Sequence, residues 1–128
     1  MRIGIGCTTY KRPEVLEKWK YQVMNHTPMD NVFIFITDDT KDRKGVAFRK
    51  NECLRALKDC DYVFMFDDDC FPIKDGWMDF FINGAKGEHL LFMNTELHRY
   101  VRKNGNCFEF ADCGGVFMFL TKEHIKTV

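Results

Sequence analysis

Three apolar runs, each ending in a cluster of polar and acidic side chains, constrain this chain more than anything else in it. The longest is Tyr62-Val63-Phe64-Met65-Phe66, which stops at Asp67-Asp68-Asp69. Five consecutive apolar residues, β-branched and aromatic among them, read as a strand buried on both faces, as in a parallel sheet between helices. Open sheets of that kind place their ligands at the carboxyl ends of the strands. Adjacent carboxylates repel, so a compensating partner is expected. A divalent cation such as Mn²⁺ or Mg²⁺ suits carboxylate oxygens, and Asp67 and Asp69, two apart on a strand, are expected to point the same way. A solvated acidic turn is the plainer alternative.

The other two runs repeat the arrangement. Ile3 to Thr8 reads as a first strand, with Thr8-Thr9-Tyr10 in the loop at its end. Pro13 suits the first turn of a helix, where its missing donor costs nothing, and Val15, Leu16, Trp19 and Val23 continue at helical spacing to about Asn25. Val32 to Ile36 is a second apolar strand, ending in Asp38 and Asp39. The polar segment Thr40 to Lys44 is expected to be mobile. A second helix from Gly45 turns Val46, Cys53, Leu54 and Leu57 inward and leads to the acidic triplet. Two βαβ units in the first 70 residues indicate an α/β fold with a parallel core.

Past the triplet, Trp77, Met78, Phe81, Ile82 and Ala85 predict a short helix, with Asp75 as its N-cap. Leu90 to Asn94 predicts a fourth strand. Leu97 to Arg102 and Cys107 to Phe110 flank Asn104-Gly105, a strong hairpin signal. The expectation is therefore that antiparallel strands join the second part of the sheet. Gly114-Gly115 leads into a last strand, Val116 to Leu120, and then a helix start.

Composition narrows the function classes. The 128 residues predict one domain, and 45% hydrophobic content with 13 Phe predicts a packed core. Lys+Arg and Asp+Glu balance at 19 each, which gives no electrostatic pointer to nucleic acid. No apolar run reaches the roughly 18 residues of a transmembrane helix. The amino terminus lacks the long apolar region of a signal peptide. The six cysteines include no Cys-x-x-Cys pair, and a cytoplasmic protein without disulfides is expected, Cys107 and Cys113 being the one pair left open. The four histidines have no ligand spacing.

With the strand ends side by side, hydroxyl, aromatic, basic and acidic groups converge on one crevice. Carboxylates there can bind ribose hydroxyls or a base N–H, and Arg12, Arg49 and Lys50 can contact phosphate. Neither phosphate-binding glycine loop is present, and Ile3-Gly4-Ile5-Gly6 lies too early in its strand to act as one. A nucleotide would have to be held by side chains and metal.

Taken together, Thr8-Thr9-Tyr10-Lys11-Arg12-Pro13, the strand ending in Asp38-Asp39, the helix with Arg49-Lys50-Asn51 and the strand ending in Asp67-Asp68-Asp69 resemble the nucleotide-sugar half of GT-A glycosyltransferases, particularly the family-2-like inverting enzymes. The resemblance covers nearly the whole chain. It implies a GT-A, Rossmann-like mixed sheet with helices on both faces and one β-hairpin. It also implies metal-dependent transfer of a sugar from a nucleoside-diphosphate sugar, a UDP-sugar first, to an acceptor that the sequence does not name. By position, Thr8 and Tyr10 would line the nucleotide, Asp38 or Asp39 would contact the base, and Arg49 or Lys50 would lie near base or pyrophosphate. Asp67 would sit nearer the ribose and Asp69 on the metal, with Asp68 counted in the nucleotide-binding set.

Asp112-Cys113-Gly114-Gly115 resembles the segment that the acceptor approaches. An inverting transfer needs a carboxylate to take the acceptor proton. The family's usual acid lies downstream of the last helix, beyond Val128, so a short or truncated member is expected, with Asp112, or failing that Glu109, as base. A nucleotidyltransferase and a non-catalytic nucleotide- or sugar-binding module are the alternatives, with self-association left open.

Overall fold

The computed structural model describes residues 1–84, 90–92, 99–104, 107–110 and 115–127. Among these residues it is an α/β structure with a five-stranded mixed sheet, in the order β2 (Val32–Asp38), β1 (Ile3–Thr9), β3 (Tyr62–Asp67), β7 (Phe117–Thr121), β4 (Leu90–Phe92). Strands β1 (Ile3–Thr9), β2 (Val32–Asp38) and β3 (Tyr62–Asp67) are parallel and linked by α1 (Pro13–His26) and α2 (Val46–Ala56). After α3 (Trp77–Gly84), β4 (Leu90–Phe92) and β7 (Phe117–Thr121) complete the sheet, β7 lying antiparallel to both β3 and β4. A short α4 (Lys122–Lys126) follows. Among the described residues no helix is long and apolar enough to cross a membrane.

Period-two alternation explains why helices cover both faces of the sheet. Ile3, Ile5 and Cys7 of β1 and Phe64 and Phe66 of β3 point to one side, where they pack with Trp19 and Val23 of α1 and Trp77 and Met78 of α3. Val63 and Met65 point to the other, against Cys53, Leu54 and Leu57 of α2 and Ile125 of α4. The first core is aromatic: Phe64 packs edge-on to Trp77 at 4.7 Å between ring centroids, and Trp19 edge-on to Phe66 at 5.9 Å. Burying each such side chain contributes roughly 1.5–3 kcal/mol relative to exposure.

On the α2 face β1 presents Gly4 and Gly6, with Thr8 after them at the strand end. A Cβ on Gly4 would stand 3.1 Å from Leu57 Cβ, and one on Gly6 would run into the Met65 sulfur and stand 3.1 Å from Cys53 Cβ. The two glycines therefore let the helix settle close to the sheet, and the Gly-x-Gly pattern is a packing device.

Several expectations change. The hairpin, β5 (Tyr100–Asn104) with β6 (Cys107–Phe110), forms a separate two-stranded sheet, and the antiparallel character of the main sheet comes from β7. Strand β2 is an edge strand, so Phe33 and Phe35 stay exposed despite its apolar sequence. Val46 faces outward, because it is the first residue of α2 and lies beyond the helix's packed stretch. Asp75 is engaged with His26, its Oδ1 2.8 Å from Nδ1. Ala85, Asn94, Leu97, His98, the Gly105-Asn106 turn and Asp112 to Gly114 lie outside the described residues.

Candidate functional site

Register brings the three strand ends level. Thr8 on β1, which lies between β2 and β3, pairs with Thr37 on one side and Asp67 on the other, and Thr9 pairs with Asp38. The loops leaving β1, β2 and β3 therefore rise from one edge of the sheet.

The β1 loop turns back on itself. Lys11 adopts a left-handed conformation, φ 52°, and its N–H donates to Thr40 Oγ1 at 2.9 Å. The reversal returns Arg12 to the acidic triplet. Its Nε donates to Asp68 Oδ2 at 3.2 Å, a second guanidinium nitrogen donates to Asp68 Oδ1, and a third lies 3.5 Å from Asp69 Oδ2. Thr9 Oγ1 also donates to Asp68 Oδ2, at 2.7 Å.

The β2 loop is held in place, contrary to the mobility expected of Thr40 to Lys44. Asp38, exposed, accepts from the Thr40 N–H at 2.9 Å, and the Thr40 hydrogen bonds hold its carboxyl below the usual range. Asp39 is buried and anchors the whole turn. Its Oδ1 accepts from Lys44 N at 2.7 Å and Arg49 Nε at 2.8 Å, and its Oδ2 from Gly45 N at 3.0 Å. These bonds, the Lys44 N–H foremost, lower its pKa. Gly45 has φ 94°, a left-handed conformation that favours glycine where the loop feeds α2. Arg49 also donates to Glu52 Oε2 at 2.8 Å and to the Asp42 carbonyl, and the carboxylates of Glu52 and Asp39 raise its own pKa.

The acidic triplet does not behave as alternating strand residues. β3 ends at Asp67, and a turn closed by the Cys70 N–H on the Asp67 carbonyl, 3.1 Å, carries Asp68 and Asp69 out of the pleat. Asp68 swings inward and is fully buried, while Asp69 stays 56% exposed. Asp67 is partly buried, with Thr8 Oγ1 at 3.4 Å and Lys50 Nζ at 3.1 Å, both on Oδ1. The two carboxylates expected on a metal thus face cations of the chain, Asp67 beside Lys50 and Asp69 beside Arg12. Among the described residues no group of three or more His, Cys, Asp or Glu is placed to hold a metal ion. With Asp67 and Asp69 each beside a cation of the chain, the donor set does not fit a cation site built by the protein.

Between the β1 and β2 loops lies a cleft of about 300 Å³, at the small end of ligand pockets. Thr8, Tyr10, Arg12, Asp39, Arg49 and Asp67, all expected at the site, line it together with Thr9, Arg43, Gly45 and Val46. Three guanidinium groups face two carboxylates, so the walls favour an anion. Arg43 stands 4.7 Å over the Tyr10 ring and donates to its hydroxyl at 3.2 Å, and Lys11 lies 5.3 Å from the same ring. Asp38, Lys50, Asp68 and Asp69 lie off the lining, and Asp112 is outside the described residues. Sequence reasoning missed Arg43, which sits in a polar run with nothing local to mark it. Gly45, directly before a helix, carried a turn signal that could have been used.

No family model matches the chain, and no curated protein does. Among solved structures it is similar to the crystal structure of A197 from STIV, with a TM-score of 0.63 over 100% of this chain and 69% of that chain, at 18% identity. Likeness at that identity concerns the fold.

Proposed function

We propose that this chain is a GT-A glycosyltransferase of the family-2-like kind, which holds a nucleoside-diphosphate sugar, a UDP-sugar first, in the cleft between the β1 and β2 loops. The observation that carries the reading is the level convergence of three parallel strand ends on a cleft whose walls combine an aromatic ring, three guanidinium groups and two carboxylates.

Each wall has a role in that reading. Tyr10 supplies a flat face for a base, shared with Arg43. A carboxylate has about four lone-pair sites. Asp39 uses three on Lys44, Gly45 and Arg49, and keeps one for a base N–H. The contacts of Asp67 with Thr8 and Lys50 fall on Oδ1, and Oδ2 suits a ribose hydroxyl. Arg12 and Arg43 supply charge-assisted hydrogen bonds to phosphate. Transfer then needs a carboxylate on the acceptor side to take the hydroxyl proton as the nucleoside diphosphate departs. Asp112, in the segment that resembles the acceptor approach though not at the family's usual position for the base, is the candidate for that part.

Calorimetric titration of the full chain with UDP, GDP and ADP tests binding. UDP is expected to bind in the micromolar to millimolar range, and Tyr10→Ala to weaken it about tenfold, in line with roughly 1–3 kcal/mol for a stacked base. The absence of binding by any nucleoside diphosphate would sink the reading. Release of UDP from UDP-sugars, lost in Asp112→Asn, tests transfer.

A further inference from the structure

Lys50 leaves α2 and reaches the carboxyl edge of the sheet with only 16% of its side chain exposed. Its Nζ lies 3.1 Å from Asp67 Oδ1 and donates to the Gly115 carbonyl at 2.5 Å. It thus bridges the end of β3 and the segment leading into β7, where the Asp67 N–H also donates to the Val116 carbonyl at 2.8 Å. An ammonium has three donors, and these two acceptors leave one.

The acidic triplet is consequently matched within the chain. Asp67 has Lys50, Asp68 has two nitrogens of Arg12, and Asp69 has the third at 3.5 Å. A divalent cation would have to displace Lys50 from Asp67 or settle on Asp69 alone, beside Arg12, and either arrangement opposes like charges. The cleft next to the triplet is already net cationic.

We propose that Lys50, with Arg12, is the resident counter-charge for a bound diphosphate, so that this cleft takes nucleoside diphosphates without a divalent metal. The proposal rests on the nucleotide-sugar reading above and replaces its metal with two side chains. Lys50 stands just behind the lining, where it neutralises Asp67 and holds it in place, and Arg12, on the lining, offers donors to a phosphate oxygen while it holds Asp68.

The test is titration of the full chain with UDP at constant ionic strength, in EDTA and then in Mn²⁺. The expected Kd in EDTA lies within about threefold of that in Mn²⁺. Lys50→Met should weaken UDP binding in EDTA about tenfold, because the Asp67 carboxylate is left uncompensated beside the diphosphate, and Lys50→Arg should recover most of it. Lys50→Met should also become responsive to Mn²⁺, because Asp67 is released. Circular dichroism and thermal melting establish that each variant is folded. UDP binding that appears only with Mn²⁺ overturns the proposal and leaves the nucleotide-sugar reading standing. A folded Lys50→Met that binds UDP in EDTA as tightly as wild type also overturns it. If neither UDP nor GDP binds in either condition, both readings fall.

Discussion

Asp68 is fully buried, with Thr9 Oγ1 and two nitrogens of Arg12 on its carboxylate, whereas Asp69 is 56% exposed and meets one nitrogen of the same guanidinium at 3.5 Å. Removing the first leaves a buried hydroxyl and an arginine without their acceptor. Asp68→Ala should therefore cost about 2–3 kcal/mol, below the 3–5 of a wholly buried pair because Arg12 is half-exposed. Asp69→Ala should cost less than about 0.5 kcal/mol, as for an exposed ion pair. Urea unfolding of the two variants separates them, and equal losses would refute this division of labour. A string of three aspartates does not say which will be buried. That depends on where the strand hands over to the turn, and the pleat that would align Asp67 with Asp69 ends two residues too early. Asp39 was legible as a site residue but not as the anchor of its loop, since its three donors come from positions up to ten residues away.

The helix α2 approaches β1 across Gly4 and Gly6 and brings Arg49 to the cleft, with Lys50 behind the lining on Asp67. Gly6→Ala forces a methyl into Met65 and Cys53, both buried, so about 1–3 kcal/mol of stability should be lost by overpacking. Because the helix must lift, UDP affinity should fall with it, while a surface change on the same helix such as Arg55→Ala should alter neither. Unfolding and titration of the two variants decide the matter, and a Gly6→Ala protein of unchanged stability would remove the close-packing argument. The elements of this half were readable because their signals are local: apolar runs for β1, β2 and β3, Pro13 and helical spacing for α1. The antiparallel insertion of β7 between β3 and β4, and the separation of the hairpin from the main sheet, depend on pairing between distant segments that no window of sequence contains.

At the scale of the whole molecule, three carboxylates tie the two edges of the sheet and set its response to acid. Asp38 and Asp39 hold the cleft loops at the carboxyl edge. Asp61 holds the opposite edge, accepting from the Arg2 N–H at 2.8 Å with Lys122 Nζ 3.8 Å away. All three pKa values lie below the ordinary 3.8: Asp38 through Thr40, Asp39 through the Lys44 N–H and Asp61 through the Arg2 N–H. A carboxyl whose folded pKa is depressed binds its proton more readily when unfolded, so its contribution is complete above the unfolded value and is lost as pH falls through the folded one. Stability should therefore be level from about pH 7 to 5 and decline below about pH 4. Asp39→Asn should be less stable at pH 7 and lose less on acidification, because the group that titrates is gone. Chemical unfolding of both proteins at pH 7, 5 and 3.5 measures this. Parallel curves offset by a constant would show that Asp39 does not carry the acid response, and would detach the order of the cleft loop from the charge that is argued to hold it.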